Sequence, residues 1–124
     1  MAAGGAGIEL AFGAKIDPHF GPVVMVGAGG VLIEFLKDQA LALAPFDADE
    51  ALRLIDSLAL RPLLDGKRGR PPADMGALAE ALARFSVMVA DLGSLVAEID
   101  VNPVLAGPEG PLALDALVVA GKVG

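Results

Sequence analysis

The sequence predicts an α+β fold in which helices pack on a mostly antiparallel sheet. Short β-branched runs separated by proline and glycine turns fill the first third of the chain. Two amphipathic helical patterns occupy the middle, and an alternating run, a turn and a second apolar run close the sequence. The 124 residues are enough for one domain and too few for two. We expect a lead-in of small residues over 1–7 and one folded unit over 8–124.

The first strands are predicted from two apolar segments on either side of dense turn chemistry. Ile8–Gly13 and Pro22–Val26 are separated by Asp17–Pro22, which is rich in Asp, Pro and Gly and contains the single histidine. Val31–Phe35 then follows Gly27–Gly30 and is predicted to pair antiparallel with the strand before it. The glycines admit two interpretations, a hairpin turn or a loop that approaches a phosphate, and the turn is favoured.

The two helices are predicted from capping signals and apolar stripes. Asp47 and Glu50 have the spacing of a capping box. Pro72 stands where the second helix could begin, with Asp74 near its positive end. The apolar stripes comprise Ala51, Leu54, Ile55 and Leu58, and then Met75, Leu78, Leu82, Phe85 and Val89. Between the helices, Lys67–Arg70 holds the main cluster of positive charge, interpreted as a solvated loop or an anion contact.

The last third of the chain is predicted to form a hairpin. Val96–Val101 alternates, with Val96, Glu98 and Asp100 assigned to one face. Asn102–Pro103 should end or bend this strand, because proline cannot donate to the ladder. Leu112–Val119 is then expected to return beside it. The full predicted order is β-β-β-α-α-β-β.

Composition excludes several classes of function. The net charge of −7 and the pI near 4.4 argue against a nucleic-acid binder, and the lack of cysteine excludes disulfides and thiolate sites. The mean hydropathy is +0.65, but the longest charge-free run, Phe20–Ile33, contains a proline and four glycines and is too short to span a membrane. The first residues carry no basic region typical of a secretory signal. We therefore expect a cytoplasmic protein without a membrane partner.

A group of oxygen ligands stands out in the predicted hairpin. Asp100 and Asn102 are two residues apart and so share a face of an extended strand, while Asp115 could lie opposite them. Such oxygens suit Mg²⁺, which is held by one or two carboxylates and completed by phosphates and water. Solvated or turn-capping polar groups are the simpler alternative. Asp115 interrupts an apolar run, and a carboxylate in a buried strand would need a charged partner or a metal.

Three blocks of the sequence together resemble a known family. They are GIELAFGAKIDPHFGPVVMVGAGGVLIEFLKD, RPLLDGKRGRPPAD and AEIDVNPVLAGPEGPLALDA. In this order they are similar to the ATP-grasp portion of ADP-forming acyl-CoA synthetases, relatives of the succinyl-CoA synthetase β subunit. The DP-x-FGPV, GRPPAD and EID-x-NP motifs are specific in combination. The resemblance runs from about Gly7 to Val119 and implies the second half of an ATP-grasp domain.

The resemblance implies a site and partners as well as a fold. It implies that Asn102 and Asp115 hold the Mg²⁺ of a bound ATP or ADP, with Asp100 as the acid beside the site. It also implies an N-terminal ATP-grasp segment and a CoA-binding subunit or domain that carries a phosphorylated histidine. His19 does not lie in such a motif, so that role is not assigned to it.

Two functions of different class are consistent with these implications. The first is a fragment or small subunit of a ligase that interconverts acyl-CoA, ADP and phosphate with a carboxylic acid, ATP and CoA. The second is a non-catalytic sensor or scaffold module, such as those fused to protein acetyltransferases. A third alternative is a folded relic that buries its exposed edge by self-association, because a sheet without its partner half would present an apolar patch and form a homo-oligomer.

Overall fold

The computed structural model describes residues 7–29, 38–66 and 69–121. In these residues the strands are β1 (Ile8–Asp17), β2 (Gly21–Ala28), β3 (Gln39–Leu43), β4 (Val96–Gly107), β5 (Gly110–Ala113) and β6 (Ala116–Ala120). The α-helices there are α1 (Ala48–Asp56) and α2 (Met75–Leu92), with short 3₁₀ turns at Arg61–Asp65 and Gly93–Leu95. The strands form one sheet of order β3-β2-β1-β4-β5, and β6 also pairs with β4. Every pairing is antiparallel, which confirms the predicted α+β architecture.

The β1–β2 hairpin closes through the predicted turn. The Asp17 carboxylate accepts hydrogen bonds from the backbone N–H groups of His19 at 2.7 Å and Phe20 at 3.0 Å. Gly21 follows with φ of 81°, a conformation that glycine adopts without strain. His19 is exposed in this turn. The turn prediction is confirmed, and β1 extends beyond the predicted end at Gly13.

The strand predicted at Val31–Phe35 lies outside the described residues. In the part that is described, β2 pairs on its outer side with β3, which the sequence analysis did not predict. Gly27 belongs to β2, so the predicted turn does not begin there. A Cβ on Gly27 would lie 2.5 Å from the carbonyl oxygen of Asp38. The physical reason for glycine at this position is therefore close backbone approach.

Helix α1 begins at the predicted cap. The Asp47 carboxylate accepts a hydrogen bond of 2.9 Å from the Glu50 N–H. The Glu50 carboxylate accepts one of 3.0 Å from Arg53 Nε instead of reaching back, so only half of the capping box forms. The predicted stripe of Ala51, Leu54, Ile55 and Leu58 is buried.

Helix α2 starts at Met75 with Asp74 as its cap, three residues later than Pro72. The Asp74 carboxylate accepts from the Ala77 N–H at 3.0 Å, and its own N–H donates to the Gly107 carbonyl at 3.0 Å. This second bond fixes the start of α2 on the β4–β5 turn. Four stripe residues are buried and Met75 packs at the edge of the core; the four are Leu78, Leu82, Phe85 and Val89. Within the described residues, no helix has the length and hydropathy needed to cross a bilayer.

A buried hydroxyl joins α2 to the segment that precedes α1. Ser86 is fully buried; its Oγ accepts a hydrogen bond of 3.0 Å from the Phe46 N–H and donates one of 2.6 Å to the Ala83 carbonyl. The neighbouring Phe85 ring lies 5.7 Å from the Phe12 ring, centroid to centroid. These contacts hold the helix layer against one face of the sheet, and the other face has no helix from the described residues on it.

The end of α1 and the following 3₁₀ turn are connected by one arginine. Arg61 Nε donates to the Asp56 carboxylate at 2.7 Å, and its Nη1 donates to Asp65 at 2.8 Å. The hydrogen bond with Asp56, and then that with Asp65, raises the pKa of the Arg61 guanidinium above its ordinary value. Two charge-assisted hydrogen bonds from Arg61 therefore join the 3₁₀ turn to the end of α1.

Candidate functional site

Strand β4 bends at Asn102–Pro103 and continues to Gly107. Leu10 pairs with Val104 and Phe12 pairs with Val101, so Ala11 alone faces the two residues Asn102 and Pro103. This is a β-bulge, a place where a strand tolerates a residue without an N–H donor. The Asn102–Pro103 peptide bond is cis. Of the two predicted outcomes for this dipeptide, the bend is correct.

Bulges also decide which side chains of β4 leave the core. Ile99 is buried, which places Glu98, Asp100 and Asn102 on the open face of the sheet. Another bulge, at Ala97, shifts the pairing with β6 between Val96 and Glu98. Val96 is consequently buried in the core, and its predicted place on the same face as Glu98 was wrong. One extra residue reverses the alternation, and the sequence pattern gives no sign of it.

The open face carries two rows of cross-strand neighbours. The first row follows the register Leu41, Met25, Gly13, Asp100 and Leu117 from β3 to β6. The second row follows Leu43, Val23, Lys15, Glu98 and Val119. The polar side chains are Asp100 in the first row and Lys15 and Glu98 in the second. Apolar side chains occupy the two ends of both rows. The sheet thus presents a polar strip with an apolar border on each side.

These rows line a hollow of about 490 Å³, called here the open-face groove. Its lining includes Gly13, Lys15, Met25, Asp100 and Asn102. A Cβ on Gly13 would lie 2.9 Å from Met25 Cε, so the absence of a side chain there keeps the floor of the groove low. The volume falls in the range of about 300–1,000 Å³ that is typical of small-molecule sites.

Asp115 is adjacent to Asn102 at one end of the groove. The Asn102 N–H donates a hydrogen bond of 3.1 Å to the Asp115 carbonyl oxygen, and the Leu114 N–H donates one of 3.0 Å to the Pro103 carbonyl. The two bonds hold the break between β5 and β6 against the bulge in β4. The predicted single strand Leu112–Val119 is accordingly divided in two.

The environment of Asp115 differs from the predicted one. The residue is exposed, and its Oδ1 accepts a hydrogen bond of 2.9 Å from the Ala116 N–H. It does not lie in a buried strand, so the burial argument for a metal was wrong. The reason is that Asp115 precedes β6, the strand in which every residue is exposed.

The donors gathered at this end fit a hard divalent cation. Asp100 and Asn102 line the groove, and the backbone of Asp115, which is not itself a lining residue, is hydrogen-bonded to that of Asn102, so two acidic residues and one amide residue are neighbours in one corner of the sheet. Over the ranges that the structure describes, no three His, Cys, Asp or Glu side chains converge on one point. A soft or fully protein-ligated ion is therefore disfavoured, whereas Mg²⁺ takes few protein oxygens and keeps several waters.

None of the remaining sequence candidates that the structure describes lines the groove. Lys67 and Arg68 are outside the described residues, and Arg70 does not line the groove. Conversely, the sequence analysis missed Gly13, Lys15 and Met25 as lining residues. Alternation along β1 could have identified the first two, because Phe12 and Ala14 face the core and their neighbours must face the other way.

The edge strand β6 exposes a continuous apolar segment. Leu117, Val118 and Val119 have 63%, 58% and 42% of their surface exposed. Exposed patches of this kind mark contact surfaces in folded proteins. An apolar patch is what we predicted for a sheet without its partner half, and β6 presents one. Self-association stays a prediction.

Comparison with known proteins assigns the class. The family model of an ATP-grasp domain matches residues 1–120 of this chain. The chain belongs to the ATP-grasp family. In structure it is similar to the acetyl-coenzyme A synthetase 1 of Ca. Korarchaeum cryptofilum solved with coenzyme A and Mg-AMPPCP. That match has a TM-score of 0.85 and 38% identity, and covers 92% of this chain and 53% of that one.

The curated relatives include several ADP-forming acyl-CoA ligases. The 4-hydroxybutyrate–CoA ligase [ADP-forming] of Nitrosopumilus maritimus is 43% identical over 104 residues, covering 84% of this chain and 15% of the relative. The acetate–CoA ligase [ADP-forming] I subunit beta of Pyrococcus furiosus is 36% identical over 113 residues, covering 91% of this chain and 48% of the subunit. The chain thus spans half or less of the length of these relatives. The family predicted from the three sequence blocks is confirmed.

Proposed function

We propose that this chain supplies one side of the Mg-nucleotide site of an ADP-forming acyl-CoA synthetase. The observation that carries the proposal is the hydrogen bond that places Asp115 beside Asn102, at the end of a groove that also presents Asp100. In this proposal Asn102 and Asp115 are the metal-binding residues, and Asp100 is the acid beside them. The ligand is ATP or ADP.

The residues of the groove have separable roles in this proposal. Asn102 offers an amide oxygen and Asp115 a carboxylate, and the bulge and the β5–β6 break fix their backbones relative to each other. Bound there, Mg²⁺ would neutralise negative charge on phosphate oxygens. Apolar side chains border this polar strip, with Met25 and Leu41 on one side and Leu117 on the other.

Partners complete the proposed enzyme. The solved relative is described with coenzyme A and a phosphohistidine segment that points towards its nucleotide site. By analogy, we propose that an N-terminal ATP-grasp segment covers the open-face groove and that a CoA-binding subunit or domain supplies the histidine. The relatives are named as ligases, which favours this function over a non-catalytic sensor or scaffold. The cytoplasm is the proposed compartment.

A chimeric enzyme tests the proposal. The matching part of the Pyrococcus furiosus beta subunit is replaced by this chain, and ADP-forming acetate–CoA ligation is assayed with the partner subunit present. We expect activity that Asp115→Ala lowers at least 100-fold. Asp91→Ala, which removes an exposed carboxylate from α2, is the matched control and should have no effect. A folded, assembled chimera that is inactive, or one that tolerates Asp115→Ala, would overturn the proposal.

A further inference from the structure

Lys15 occupies the middle of the second row on the open face. It stands opposite Glu98 on β4 and Val23 on β2, and its neighbours Ala14 and Ile16 turn towards the helix layer. Among the described residues that line the groove, Lys15 is the one that carries a positive charge. A lysine at this place can pack its four-carbon stem against apolar side chains and hold its ammonium group over the polar strip.

The ammonium group of Lys15 is not engaged by a carboxylate. In the ranges described by the structure, ion pairs within 4.0 Å form at other sites, on α1, on α2 and around Arg61. None of them includes Lys15, although Glu98 is its register partner. Lys15 is exposed as well, so a ligand in the groove can reach it.

Lys15 is the place in this acidic groove where an anionic ligand group meets a positive charge. Glu98 and Asp100 both present carboxylates on this face, and among the described lining residues Lys15 is the one cation near them. Asp100 is two residues from Glu98, about 7 Å along the strand, and Asn102 is about 7 Å further. A ligand that contacts Asn102 through a metal and extends along β4 therefore passes Lys15 after Asp100.

From this placement we propose that Lys15 binds a phosphate group of the nucleotide held in the open-face groove. The inference rests on the proposed function and adds to it the cation that this half of the site supplies. An ammonium group binds phosphate as a compact point charge with three donors. No covalent step is assigned to Lys15, which is a binding residue in this proposal.

The test compares ligands that differ only in their phosphates. The full 124-residue chain is titrated with Mg-ADP, Mg-pyrophosphate and adenosine, and binding is followed by amide chemical shifts, which detect millimolar affinities. The variants are Lys15→Gln, Lys15→Arg and Glu98→Gln. Arg84→Gln is the matched control, because it removes a cation whose side chain is 80% exposed on α2, outside the groove. Unchanged spectra away from the substituted position establish that each variant is folded.

We expect Lys15→Gln to weaken the binding of Mg-ADP and Mg-pyrophosphate by about tenfold, because one charge-assisted hydrogen bond is lost. The affinity for adenosine should be unchanged. Lys15→Arg should stay within about twofold of the parent chain, since it keeps the charge. Glu98→Gln should bind Mg-ADP at least as tightly, because it removes a carboxylate from the path of the phosphates. Arg84→Gln should bind like the parent.

Three outcomes would overturn the inference, and they are distinguishable. If Lys15→Gln binds Mg-ADP normally while Asp115→Ala does not, the nucleotide site stands and the role of Lys15 is wrong. If Lys15→Gln weakens the binding of adenosine equally, or if Glu98→Gln weakens the binding of Mg-ADP as much as Lys15→Gln does, Lys15 shapes the groove and does not contact phosphate. If the parent chain binds none of the three ligands, the proposed nucleotide site fails, and the inference fails with it.

Discussion

The backbone N–H of Asn102 donates a hydrogen bond of 3.1 Å to the carbonyl oxygen of Asp115. This bond joins a bulge in one strand to a break between two others, so each irregularity is compensated by the other. It brings together residues that are thirteen positions apart, and it does so at the end of the groove. The position of the candidate metal site is therefore a property of the sheet and not of one local motif.

Filling the floor of the groove should impair binding more than folding. Gly13→Val places a side chain where a Cβ lies 2.9 Å from Met25 Cε, the mobile end of a flexible side chain. We expect a change in unfolding free energy below about 1 kcal/mol, because Met25 can move. Affinity for Mg-ADP should fall at least tenfold.

Calorimetric titration and urea unfolding of Gly13→Val measure these two effects separately. The double variant Gly13→Val/Met25→Ala, which removes the clashing methyl group, should recover stability without recovering full affinity. Unchanged affinity in Gly13→Val would show that the ligand does not use the floor of the groove.

Two glycine substitutions of the same size should have opposite effects on stability. Gly27→Ala places a Cβ 2.5 Å from the Asp38 carbonyl oxygen, and backbone cannot move away cheaply; we expect a loss of about 2 kcal/mol or more. Gly76→Ala, near the start of α2, meets its nearest atom at 3.6 Å. It should stabilise the chain by up to about 1 kcal/mol through helix propensity. Urea denaturation of both variants checks the contrast, and equal effects would refute the close approach of β2 and β3.

The Ser86 hydroxyl should contribute to stability through its hydrogen bonds. Ser86→Ala leaves the Phe46 N–H without its acceptor at 3.0 Å, and the cost is about 1–2 kcal/mol. Ser57→Ala is the control, since its hydroxyl donates to the Leu54 carbonyl within a helix end and accepts no backbone N–H bond in the described residues. Thermal and urea unfolding should show the larger loss for Ser86→Ala. A loss no greater than that of Ser57→Ala would contradict the role of this bond.

Local signals in the sequence were sufficient for the caps, stripes and first turn. Asp47 and Asp17 act through bonds within three residues, and the helix stripes follow from the 3.6-residue period alone. The irregularities of β4 could not be predicted, because a bulge depends on the strand across from it. For the same reason the face assigned to Val96 was wrong. The exposure of Asp115 could not be predicted either, because it depends on which strand the helices leave uncovered.

The residues of the candidate site were named from the sequence, and their metal-binding role stays a prediction, whereas most of their surroundings were not predicted. The types and spacing of Asn102, Asp100 and Asp115 pointed to a cation, and the motifs around them to the family. The groove itself depends on register across five strands, from Leu41 on β3 to Leu117 on β6. Register is a long-range property, so a single sequence contains little direct evidence for Lys15 or Gly13 as lining residues.

The most direct test of the central claim is the calorimetric titration of Mg-ADP into the 124-residue chain and into its Asp115→Ala variant. We predict binding by the parent chain and at least a tenfold loss in the variant, with a normal unfolding transition because Asp115 is exposed. Asp91→Ala should bind like the parent. Equal affinity in the parent and in Asp115→Ala would contradict the assignment of the Mg-nucleotide site to the corner formed by Asn102 and Asp115.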